Sequence, residues 1–195
     1  MQKNTLDLML YINQGIDYKQ YSQDIQDFIN NTDADNEFFE YYELNLQRMQ
    51  RLDKGIKLND SQKERLNKLN QKVSFIAISE GWCGDAAQIL PVIEKMTNET
   101  EFLNLKVVYR DENPELMQEY LTNGSMSIPI VIAVNEETGQ ELFHWGPRPE
   151  FGNELLRKFK NEEISREEFH LDLQKAYNKD KGMAIINELL LKLEL

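Results

Sequence analysis

The sequence predicts an α/β protein in which a mixed central sheet is flanked by helices and both ends carry further helices. Three observations point there. Short apolar, β-prone runs alternate with helically periodic stretches through the middle of the chain, the order of a parallel βαβ unit. A turn-rich segment then joins two more such runs as a hairpin, which requires antiparallel pairing. On either side of this middle, apolar residues recur at helical spacing. The boundaries that follow are a helical extension over residues 1–71, a core over 72–160 and C-terminal helices over 161–195.

In chain order, Tyr21, Ile25, Phe28 and Ile29, then Phe38, Tyr41, Tyr42, Leu46 and Met49, predict helices over 18–31 and 37–54, broken at 31–36. Gly55 reads as a C-terminal cap, and Ser61 with Glu64 has capping-box spacing for a helix reaching about Asn70. Val73 to Ile78 is a buried strand, and 85–97 a helix whose inward stripe is Ile89, Leu90, Val92, Ile93 and Met96, with a kink expected at Pro91. Leu105 to Tyr109 is a second strand, after which Asn113 as cap and Pro114 in the first turn open a helix to about Leu121. Residues 130–134, the turn 135–139 and 141–145 form the hairpin. Ser165 with Glu168 is another capping box, and Ile185, Ile186, Leu189, Leu190 and Leu193 line a last helix.

Composition excludes several functions. The chain has 34 acidic and 22 basic residues and a formal charge of −12, which repels nucleic acid and anionic membranes over most of its surface. Residues 1–13 are too short and interrupted for a signal-peptide core, and no run is long enough to span a bilayer. The single cysteine, Cys83, forms no internal disulfide, which suits a reducing compartment, and the expected location is the cytoplasm. His144 and His170 have no Cys or His partners at metal-ligand spacing, and Asp33, Asp35 and Glu37 lack the glycine and final glutamate of an EF-hand loop. No metal or resident cofactor is expected. Oligomeric state is left open, because the terminal helices can pack on the sheet or pair between chains.

Cys83 lies in Ser79-Glu80-Gly81-Trp82-Cys83-Gly84-Asp85-Ala86, between the first strand and the next helix. Trp82-Cys83-Gly84, Asp111-Glu112-Asn113-Pro114 and Ser127-Ile128-Pro129 occur in the order and spacing of three thioredoxin motifs. Over about residues 72–160 the chain therefore resembles the thioredoxin-like superfamily, and its extra helices resemble an extended bacterial branch of it. The resemblance implies a thioredoxin-like fold and a cis bond before Pro129. It also exposes two departures. Asp85-Ala86 stands where the family has Pro-Cys, so the resolving thiol is missing. The buried family acid, whose place falls near Ala77, is missing too.

A lone thiol at a helix N-terminus still permits monothiol disulfide exchange, glutathionylation or sulfenic acid chemistry. In that expectation Cys83 is the nucleophile, Trp82 shields it, Gly84 gives backbone access, and Pro129 presents the backbone of Ile128 to an extended substrate. Trp82 and Trp145 read either as plain core aromatics or as residues flanking the same cleft, two alternatives the sequence leaves open. The partners are protein or peptide thiols and disulfides, with glutathione as a possible co-substrate, although the sequence does not reveal basic residues to grip it. Glu80 and Asp85 oppose a thiolate while Arg110 and Arg148 are available as counter-charges, so the sign of the Cys83 shift stays open. Asp85 is expected to support the helix dipole. The rival expectation is a redox-inactive module whose cleft, with Asp85 in place of redox machinery, grips an extended peptide.

Overall fold

The computed structural model describes residues 6–194, so the first five residues of the N-terminal stretch lie outside the described residues. Four strands, β1 (Val73–Ser79), β2 (Leu103–Tyr109), β3 (Ile130–Asn135) and β4 (Glu141–Trp145), form one sheet in the order β2-β1-β3-β4. β1 runs parallel to β2, with Val73 opposite Leu103, and antiparallel to β3, with Ile78 opposite Ile130. β3 and β4 are the hairpin, irregular between Ala133 and Val134. The two central strands are buried at every position, as their largely apolar runs require, whereas β2 and β4 on the edges carry exposed residues.

The helices are α1 (Leu8–Gln14), α2 (Tyr18–Asn31), α3 (Phe39–Gly55), α4 (Asp60–Leu66), α5 (Ala86–Thr97), α6 (Pro114–Glu119), α7 (Glu150–Lys160), α8 (Arg166–Asp180) and α9 (Met183–Lys192). α5 is the hub. It was expected to bury one stripe, yet Ala86 through Ile93 are all buried, because α3 and α9 cover the flanks that the sheet leaves open. Each large apolar side chain so enclosed contributes about 1.5–3 kcal/mol relative to exposure. Between α8 and α9 the chain turns through Gly182 at φ +84°, where an added Cβ would lie 2.8 Å from Val92 of α5, so only glycine fits.

Three local expectations are corrected. The capping box of α4 is Asn59 with Gln62, two residues before the Ser61–Glu64 pair of equal spacing, and the helix ends at Leu66. Gly55 is the last residue of α3 and adopts no left-handed cap. Asn113 makes no side-chain cap bond to α6; its amide donates to the Tyr109 carbonyl at 2.7 Å. The Ser165–Glu168 box on α8 is present as expected. α1, with Asp7 as its cap, is a helix that the sequence reading left unassigned.

Candidate functional site

β1 delivers the chain from the sheet into a tight loop, residues 80–85, before α5 begins. The loop is pinned from the N-terminal helices. The Tyr21 hydroxyl of α2 donates to the Glu80 carbonyl at 3.0 Å, and the buried Asn45 amide of α3 donates to the Gly81 carbonyl at 3.0 Å. Arg48 Nη1 in turn donates to Asn45 Oδ1 at 3.1 Å. The backbone N–H of Asp111 donates to Glu80 Oε1 at 3.0 Å, tying the loop to the end of β2. Gly81 is held under the Tyr42 ring, which would lie 2.5 Å from an added Cβ.

Cys83 sits in this loop with 6% of its surface exposed. Its thiol donates to the Ile128 carbonyl at 3.4 Å, and Sγ accepts from the Ala86 N–H at 3.5 Å. Ile128 precedes Pro129 through a cis peptide bond; Gly146–Pro147 is also cis. The sign left open by the sequence is thereby settled by burial. Desolvation first, then the Asp85 charge, push the thiol up to about 12, against the N–H groups of Ala86 and Asp85 and the guanidinium of Arg148.

Asp85 stands at the N-terminus of α5, where its charge faces the helix dipole as expected, but its side chain makes no cap bond. Its carboxylate is turned across the cleft, accepting from Arg148 Nη2 at 2.6 Å and from the Tyr177 hydroxyl of α8 at 2.8 Å. Burial raises its proton affinity, and Arg148, Tyr177 and Arg48 oppose that rise. Aiming Nη2 at Asp85 leaves Arg148 Nε buried without a partner, a cost of about 1–3 kcal/mol that the ion pair and the Phe169 ring, 5.8 Å from the guanidinium, offset.

These groups form the floor of a cleft of about 730 Å³, within the size range of ligand sites. α3 supplies one wall through Tyr41, Leu44 and Arg48, and α8 the other through Arg166, Phe169 and Tyr177. Of the residues expected here, Trp82, Cys83, Gly84, Asp85 and Ile128 all line the cleft. The Trp82 ring lies under Arg110 at 4.9 Å and beside Phe38 at 6.0 Å. Trp145 lies outside the cleft. It is buried, and its indole N–H donates to Glu188 of α9 at 2.8 Å. Basic residues are present after all, since Arg48, Arg110, Arg148 and Arg166 all line the cleft. Sequence reasoning named two of them but had no signal for Arg48, Arg166 or Tyr177, which reach the site from helices far along the chain. Among the described residues no cluster of three or more His, Cys, Asp or Glu can hold a metal, and no helix is long and apolar enough to cross a membrane.

Comparison with known proteins fits this geometry. A family model described as Thioredoxin matches residues 32–168. A search of the curated proteins finds no match. Among solved structures, an HIV epitope-scaffold superposes with a TM-score of 0.67 at 16% identity, covering 97% of this chain and 98% of that one. A protein of unknown function from Pseudomonas aeruginosa superposes with a TM-score of 0.63 at 18% identity, covering 93% of each. At such identities these likenesses concern the fold alone.

Proposed function

Because the chain belongs to the thioredoxin family, we propose that it uses the family's cleft as a protein-binding groove without redox turnover. One observation carries this reading: the Asp85 carboxylate, beside Cys83, is locked between Arg148 and Tyr177. A nucleophilic thiol needs thiolate character and access. Cys83 instead has a buried thiol engaged with the Ile128 carbonyl and a fixed negative charge as neighbour. No second cysteine resolves a mixed disulfide. What the cleft retains is the shape that receives an extended segment: the backbone of Ile128 on one side, and on the rim Trp82 with the exposed apolar side chains of Tyr41, Leu44 and Met126. Cys83 then serves as a small buried hydrogen-bond donor. A lone thiol kept reduced suits the cytoplasm.

The test compares the wild-type chain with Cys83→Ser and Cys83→Ala. Retained partner binding and in-cell function in both variants support the groove. Loss of function in both, with the fold intact by circular dichroism and a mixed disulfide trapped on the wild-type chain, would restore monothiol chemistry at Cys83, with glutathione as its co-substrate.

A further inference from the structure

We infer that the groove selects an acidic, extended segment of a partner protein, its carboxylates held by the cleft arginines and its apolar side chains by the rim. This rests on the groove reading above and adds the chemical class of the occupant.

The observation is a charge inversion. The chain as a whole carries −12, yet four of its seven arginines line this one cleft, where Asp85 is the sole carboxylate among the lining residues. The four guanidiniums are not equally committed. Arg148 is engaged by Asp85. Arg110 pairs with Asp111, whose side chain is largely in water and binds weakly, and also reaches the Met126 carbonyl at 3.4 Å. Arg48 is bonded to a neutral amide, Asn45, and Arg166 makes no hydrogen bond or ion pair among the described residues. Each guanidinium offers five N–H donors in a planar fork suited to a carboxylate. Arg48 on α3 and Arg166 on α8 thus stand on opposite walls with donors to spare, while Arg110 is held over the Trp82 ring at 4.9 Å.

A small anion would use the arginines and ignore the exposed rim of Tyr41, Leu44 and Met126. A segment alternating acidic and apolar side chains uses both. Beyond roughly one Debye length, about 8–10 Å, salt screens both the chain's net negative charge and the arginines, so an acidic segment feels the cleft only when it is nearly seated. Selection therefore depends on seating, and a partner that offers its acids without a fitting backbone is turned away.

The test is selection of dodecapeptides from a random phage library on the full-length chain, followed by affinity measurement on a synthetic winner. Enrichment of Asp and Glu together with bulky apolar residues is expected. The winner's Gln-for-Glu analogue should bind about tenfold more weakly, equivalent to about 1.4 kcal/mol. Arg166→Gln and Arg48→Gln should weaken the acidic peptide by a similar factor while leaving the Gln analogue unmoved, the coupling a double-mutant cycle isolates. Neutral or basic winners, or equal binding of the two peptides, would overturn the acidic preference and leave the groove standing. Absence of any enriched peptide would overturn the groove itself. Displacement of the winner by reduced glutathione at equal concentration would reassign the arginines to a small dicarboxylate thiol and overturn the proposal.

Discussion

At the floor of the cleft Cys83, Asp85, Ile128 and Tyr177 are each at least nine-tenths withdrawn from solvent, whereas at the rim Tyr41, Leu44 and Met126 leave about half of their surface in water. The floor is assembled from groups that satisfy one another: thiol to carbonyl, hydroxyl to carboxylate, guanidinium to carboxylate. The rim is assembled from apolar groups that nothing among the described residues covers. Polar groups that are paired and buried fix a shape; exposed apolar groups with no intramolecular partner are free to meet another surface. The thiol and the Asp85 carboxylate are thus engaged within the floor, and the exposed apolar surface of the cleft lies at the rim.

If that contrast is right, the largest effect comes from breaking the floor. Arg148→Met strands the buried Asp85 carboxylate with one neutral donor and should cost about 3 kcal/mol in urea unfolding. Asp85→Asn in the same chain should recover part of that loss, because the uncompensated charge is gone; equal stability of the single and double variants would remove the ion pair from the account of the floor.

Next comes the thiol. Its folded-state affinity for the proton is raised from 9.0 to about 12, so labelling by iodoacetamide at pH 8 should be at least about tenfold slower in the native than in the urea-denatured chain. The linked effect on stability has a definite sign. Above pH 9 the unfolded chain releases the thiol proton while the folded chain keeps it, so this contribution is intact below pH 9.0 and lost as pH rises toward about 12. Cys83→Ala should flatten that alkaline decline; an unchanged slope would place the thiol in a more solvated setting.

A smaller effect tests the pinning of the loop. Gly81→Ala drives a methyl into the Tyr42 ring, itself stacked on Phe28 at 3.8 Å, and should destabilise by about 1–3 kcal/mol. The smallest effect belongs to the rim: Tyr41→Ala should change stability by no more than about 0.5 kcal/mol while weakening any partner that seats on the groove. A large stability loss at Tyr41 would mean that rim and floor are one packed unit.

Much of the fold was legible because it is written locally. The largely apolar run of 73–78, the turn at 135–139 and the Ser165–Glu168 box each carry their signal within a few residues, and the elements they predict are present. The Ser61–Glu64 spacing pointed to the wrong box because its signal is purely local; the observed Asn59–Gln62 box has Gln62 buried and donating to Asn187 of α9 at 3.0 Å. The cleft was half legible. Trp82 to Asp85 and Ile128 follow from the motifs, but Asp85 meets Arg148 and Tyr177 across 63 and 92 positions, separations that no periodicity encodes. For Trp145 the sequence left core and cleft open for the same reason: its strand end is local, but its burial against Glu188 depends on α9.

Ahead of α2, Ile16 exchanges two backbone hydrogen bonds with Val107, at 2.9 and 2.8 Å. An edge strand with free N–H and C=O groups is a template for a foreign strand, and this single-residue bridge occupies the middle of the β2 edge. On the far side β4 presents an irregular register together with Glu141 and His144, features equally unwelcoming to a stacked neighbour. A protein with an exposed apolar rim and both margins of its sheet guarded presents contact surface in one place without offering strand templates at the others.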